Sequence, residues 1–88
     1  MANPQAYRYV VTRSAAGQLR YPRREAILVW LEILCREPFR RDRNVKPLRG
    51  IMSGYRRRFG DWRVSYRIDP GARAIEVFEV APRGGAYR

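Results

Sequence analysis

The chain has 88 residues and a formal net charge of +11, from 19 Lys and Arg against 8 Asp and Glu. It is 45% hydrophobic, with two Trp, six Tyr and three Phe, which excludes a disordered basic tail and fits one domain with one core. One cysteine and no histidine exclude an internal disulfide, a Cys–His nucleophile and the usual zinc-ligand sets, so neither metal nor other cofactor is expected.

Tyr7–Thr12 alternates, with Tyr7, Tyr9 and Val11 on one side and Arg8, Val10 and Thr12 on the other, and this predicts a strand. Ser14 is placed to cap a short helix over Ala15–Arg20. Pro22 suits the first turn of a second helix, predicted over Pro22–Arg36, because no bond there needs its missing N–H. Ile27, Trp30, Leu31 and Leu34 form an apolar stripe along it, Cys35 is packing filler, and Pro38 ends it. The longest apolar run, Ala26–Leu31, is too short to span a bilayer, and the N-terminus lacks the apolar run of a secretory signal. A cytoplasmic location without membrane contact is the expectation.

Phe39–Ser53 reads as a loop carrying Arg40, Arg41, Arg43, Lys46 and Arg49. Two readings stay open for this cluster: a solvated cationic surface, or phosphate contacts at the entrance of a site. Three strands are predicted after it, Gly54–Phe59, Trp62–Asp69 and Ala74–Ala81, joined by turns at Gly60-Asp61 and Asp69-Pro70-Gly71. The fold class is α+β with the order β-α-α-β-β-β. Two N-terminal helices pack on one face of a small antiparallel-rich sheet, in a single domain over residues 1–88.

The first turn fixes a register. Arg58 faces Arg63 and Arg56 faces Ser65, so alternation gathers Arg56, Arg58, Arg63 and Arg67 on one face. Tyr55, Phe59, Trp62, Val64, Tyr66 and Ile68 take the other face, toward the helices. Facing like charges destabilise a sheet by about 0.2–1 kcal/mol per pair, so stability alone does not select this patch. A bound polyanion reverses the sign. Of the 19 cations all but Lys46 are arginine, whose planar fork suits phosphate oxygens. The partner this implies is nucleic acid or an acidic protein. Arg57 falls on the apolar side and is expected to snorkel at the sheet margin or to pair with Glu76 or Glu79.

Lys46-Pro47-Leu48-Arg49-Gly50, followed by Gly54-Tyr55-Arg56-Arg57-Arg58-Phe59-Gly60-Asp61-Trp62-Arg63-Val64-Ser65-Tyr66, resembles the core of the RelE/ParE toxin superfamily. The ending Ala81-Pro82-Arg83-Gly84-Gly85-Ala86-Tyr87-Arg88 is similar to that family's closing segment. The resemblance implies a microbial-RNase-like fold and the toxin of a type II toxin–antitoxin pair. For RelE-type members it implies a metal-independent, ribosome-dependent endoribonuclease. The substrate's 2′-OH attacks the adjacent phosphate of mRNA in the ribosomal A site, leaving a 2′,3′-cyclic phosphate and a 5′-OH.

Arg56, Arg58, Arg63, Arg83 and Tyr87 fall on the family's catalytic positions, and Lys46, Arg49 and Arg67 are the accompanying RNA-binding candidates. Arg63 and Arg83 are the candidates for stabilising phosphate charge, Arg56 and Arg58 for holding phosphates. Tyr87 is the candidate for stacking on a base or moving a proton, with anchoring of a short tail as its structural alternative. Relatives often carry Lys where Arg56 and Arg58 stand, and many have His at the position of Pro82, so no general base is assigned. The implied partners are a cognate acidic antitoxin, in a toxin–antitoxin hetero-oligomer, and ribosome-bound mRNA. The alternatives are a ParE-like inhibitor of DNA gyrase, or a degenerate member that only binds RNA or its antitoxin.

Overall fold

In the computed structural model, which describes residues 6–19, 23–40 and 42–82, the alternating N-terminal segment forms β1 (Arg8–Val11). Thr12 leaves this strand in an extended conformation, and its Oγ1 accepts a hydrogen bond from the Ala15 N–H at 3.2 Å. That bond satisfies an orphan donor of the first turn, so α1 runs Arg13–Gln18. The helix therefore begins earlier than a Ser14 cap implies, because the threonine two residues upstream reaches the same turn. Helix α2 spans Arg24–Arg36 and ends before Pro38, with the Glu37 N–H donating to the Leu34 carbonyl at 3.1 Å. Arg20 and Pro22 lie outside the described residues.

The segment from Phe39 to Ser53 is not all loop. Val45–Pro47 is a short strand, β2, antiparallel to β3 (Gly54–Phe59) with Lys46 opposite Arg56. Pro47 makes the stretch read as a loop, but an edge strand tolerates a residue without an N–H. β4 (Trp62–Asp69) and β5 (Ala74–Pro82) complete a five-stranded sheet in the order β1-β5-β4-β3-β2. Only β1 runs parallel to its neighbour, β5; the other pairings are antiparallel. The order is thus β-α-α-β-β-β-β.

The β3–β4 register is the one the two-residue turn dictates: Gly54 opposite Arg67, Arg56 opposite Ser65, Arg58 opposite Arg63, Phe59 opposite Trp62. Gly60 supplies the turn's positive φ of 58°. Between β4 and β5 the register slips: Ser65 pairs with Glu79 but Tyr66 with Val77. Phe78 is the extra residue of a β-bulge. The bulge lets both Val77 and Val80 face the core, where they are buried, and leaves both Glu76 and Glu79 on the opposite face.

One apolar cluster joins Ala15, Ile27, Leu31, Leu34 and Cys35 of the helices to Val64, Tyr66, Ile68, Ile75, Val77 and Val80 of the sheet. Trp30 packs edge-on against Phe59 and Tyr66, with ring centroids 5.3 and 5.2 Å away. Burial, with the Glu32 carboxylate adding to it, pushes the Cys35 thiol pKa up. The thiolate is the reactive form. A thiol-alkylating reagent is therefore expected to label the folded chain at least about tenfold more slowly than the urea-unfolded chain, which mass spectrometry of timed samples will read. The contribution to stability is full below the unfolded thiol pKa of about 8.5 and is lost as pH climbs through the raised folded value.

Candidate functional site

The sheet has a covered face and an open one. On the open face, strand alternation and direct cross-strand pairing line up Lys46, Arg56, Ser65 and Glu79 in one row. Arg58 and Arg63 form the next row. These rows border a pocket of about 410 Å³ lined by Arg43, Lys46, Arg56, Arg58, Arg63 and Trp62, among others. That is the size of site that takes a small ligand or part of a larger one. The Asn44 carbonyl accepts from the Arg58 N–H at 3.0 Å and ties the pocket's outer wall to β3.

Arg56 is held from below. Its Nε–H donates to Ser65 Oγ at 3.3 Å, and the Ser65 hydroxyl donates to Glu79 Oε1 at 2.7 Å. Glu79 Oε1 also lies 3.7 Å from Arg56 Nη2. Ser65 is 0% exposed, so its hydroxyl must find partners, and these partners fix the guanidinium's direction. Among the described residues, Arg43, Lys46 and Arg58 have no carboxylate partner. The pocket consequently gathers more cationic donors than nearby carboxylates, which suits an oxyanion or a phosphate chain.

Of the candidate residues, Lys46, Arg56, Arg58 and Arg63 come together in this pocket. Arg67 and Arg49 do not line it. Arg67 shares the open face but donates from Nη2 to Glu76 Oε1 at 2.9 Å, and that carboxylate pushes its pKa up. Arg49 sits exposed in the turn before β3. Arg83 and Tyr87 lie outside the described residues, as does Arg41. The loop cluster divides: Arg43 lines the pocket, whereas Arg40 is exposed 3.8 Å from Glu37.

Arg57 pairs with neither Glu76 nor Glu79, which face the other side of the sheet. Its guanidinium lies 4.2 Å from the Phe59 ring centroid and 5.4 Å from that of Trp30, with Nε 3.8 Å from Asp42 Oδ2. Cation–π contacts and an ion pair with Asp42 thus take the place of the expected pairing with Glu76 or Glu79. Trp62 packs against the core cluster as alternation implies, yet it also borders the pocket. Alternation cannot find this double role, because it assigns each strand residue to one face only. Ser65 and Glu79 also escaped sequence reading. The hairpin register did place Ser65 opposite Arg56, but nothing in the alternation reveals that the bulge brings Glu79 beside them.

Among the described residues, no cluster of three His, Cys, Asp or Glu side chains is placed to hold a metal ion.

No family model matches the chain. It is 31% identical over 93 residues to the Toxin RelE of Mycobacterium tuberculosis, an alignment covering 100% of this chain and 93% of that protein. Its structure superposes on the archaeal RelE–RelB complex from Pyrococcus horikoshii OT3 with a TM-score of 0.74 at 27% identity, over 90% of this chain and 97% of that one. The RelBE2 toxin–antitoxin complex from Mycobacterium tuberculosis gives 0.65 at 31% identity, over 89% and 99%.

Proposed function

The chain belongs to the RelE family of toxins from toxin–antitoxin systems, and from that premise we propose that it cleaves mRNA on the ribosome by attack of a 2′-OH on the adjacent phosphate. The observation that carries this reading is the convergence of Lys46, Arg56, Arg58 and Arg63 on one pocket. In-line attack builds negative charge on the non-bridging phosphate oxygens, and fixed guanidiniums stabilise it more in the transition state than in the ground state. Arg63 takes that role. Arg56 and Arg58 hold the scissile and flanking phosphates. Arg83 joins Arg63, and Tyr87 stacks on a base. No metal is required by this chemistry, in which the nucleophile belongs to the substrate.

The test is primer extension on transcripts after induction of the chain in a sensitive host, beside Arg63→Ala. New 5′ ends within codons for the parent and none for the variant support ribosomal cleavage. Growth arrest with intact transcripts and an induced DNA-damage response overturns it and points to gyrase.

Glu79 gives a finer readout. Replacing it with alanine frees the Arg56 guanidinium and removes a counter-charge from the open face. Cleavage at saturating substrate is expected to fall about 10- to 100-fold through misplacement, while KM falls rather than rises. Glu79→Gln, which can still accept from Ser65, restores most of the rate. Single-turnover kinetics on programmed ribosomes measure both.

The partner implied by the family is an acidic antitoxin, as RelB is the partner in the solved RelE–RelB structure. A net charge of +11 makes that association fast and salt-sensitive in this reading. No helix among the described residues is long and apolar enough to cross a membrane, and the proposed site of action is the cytoplasm, where the ribosomes are.

A further inference from the structure

Cleavage by a 2′-OH leaves a second demand that phosphate-binding arginines do not meet: the departing 5′-oxygen is an alkoxide until it gains a proton. We propose that Lys46 donates that proton. The inference rests on the ribonuclease reading above and assigns within it a role that no arginine can fill.

The pocket presents four guanidiniums, those of Arg43, Arg56, Arg58 and Arg63, and a guanidinium does not surrender its proton in a protein. Apart from Lys46, the remaining lining side chains are an indole, an amide, a proline ring and a leucine, none of which is an acid in water. Lys46 is thus the one pocket-lining side chain among the described residues with a proton to give.

Its position is fixed by β2. Direct antiparallel pairing sets Lys46 opposite Arg56, and side chains so paired project from the same face with Cβ atoms about 4.5–5.5 Å apart. Val45, its neighbour in the strand, pairs with Arg57 on the covered side. Had residues 39–53 been loop throughout, nothing would aim Lys46 at the phosphate site. Arg56 is tethered by Ser65 and Glu79, whereas Lys46 is exposed and, among the described residues, has no carboxylate partner. A flexible four-carbon stem then carries its ammonium over the phosphate that Arg56 orients.

The step balances without a further reactant. A bond forms from the 2′-oxygen to phosphorus, and the 2′-OH proton passes to solvent water. The bond from phosphorus to the 5′-oxygen breaks with its electron pair moving to that oxygen, which takes a proton from Lys46 Nζ. The amine left behind regains a proton from solvent, closing the cycle.

The experiment compares two mRNAs on programmed ribosomes, identical except that the scissile 5′-oxygen is replaced by sulfur in one. A thiolate leaves without needing a proton. Lys46→Arg keeps the charge and removes the transferable proton, and the exposed position spares the fold, as an unchanged thermal melt will verify. The variant is expected to cut the oxygen substrate about 10²-fold or more slowly and the sulfur substrate within about threefold of the parent. Equal slowing on both substrates overturns the proposal and makes Lys46 a charge contact only. No slowing on either removes it from the reaction. A parent chain that cuts neither substrate instead overturns the ribonuclease reading itself.

Discussion

Replacing Arg63 with alanine is expected to slow single-turnover mRNA cleavage by about 10²–10³-fold, the loss that follows removal of one fixed donor from a developing oxyanion. Arg63 projects from β4, which is flanked by β3 and β5 and cannot shift to compensate. It stands directly opposite Arg58, so its removal takes away one like-charge contact from the open face. A thermal melt of the variant beside the parent shows whether the fold is kept. This separates lost chemistry from lost structure. Arg67→Ala is the matched control: the same face and strand, but outside the pocket and engaged with Glu76. It is expected to keep its rate within about threefold, since its guanidinium stabilises no reacting oxygen. An Arg63→Ala chain that cuts at a third of the parental rate or better contradicts the assignment.

The largest stability effect belongs to Tyr66. It is 1% exposed and sits in contact with Trp30 on one side and Tyr55 on the other, at ring separations of 5.2 and 5.7 Å. Tyr66→Ala removes a buried ring from the centre of β4 and is expected to lower stability by about 3–5 kcal/mol. Small domains fold with only about 5–15 kcal/mol in hand. A loss of that size takes between about a fifth and all of that margin, and the variant is expected to melt well below the parent. Tyr66→Phe retains the ring and most of the stability. Urea titration followed by tryptophan fluorescence reads both variants, because Trp30 touches the substituted ring. A midpoint for Tyr66→Ala close to the parent's would mean that the helix–sheet core does not depend on this ring.

The parts of the fold legible in the sequence are those where one local rule dominates. A two-residue turn with Gly at its first position fixes the β3–β4 pairing residue by residue, and with it the clustering of Arg56, Arg58 and Arg63. The spacing of Ile27, Leu31 and Leu34 shows which side of α2 is buried. What escaped depends on contacts distant in sequence. Val45–Pro47 is a strand only because β3 offers it a partner, and its proline argues locally for a loop. Thr12 and Ser14 are equally good caps by residue type, and only the departure of the chain from β1 decides between them. Arg57 looks misplaced until the rings of Phe59 and Trp30 are brought beneath it. The bulge at Phe78 shows in the sequence only as a break in alternation, Val77 followed directly by Phe78, which does not say to which face Glu76 and Glu79 go. The candidate site was legible in its arginines, which one hairpin carries, and illegible in the groups that hold them.

That bulge also gives the open face an electrical direction. Two internal counter-ions sit on β5, where Glu79 attends Arg56 and Glu76 attends Arg67. The opposite margin, formed by β2 and the segment just before it, carries Arg43 and Lys46, neither paired to a carboxylate among the described residues, while Asp42 beside them is engaged with Arg57. A polyanion drifting toward this surface meets a potential that steepens from one edge to the other. In the proposed reaction that gradient orients the RNA strand as it lands, before any base or individual phosphate is recognised.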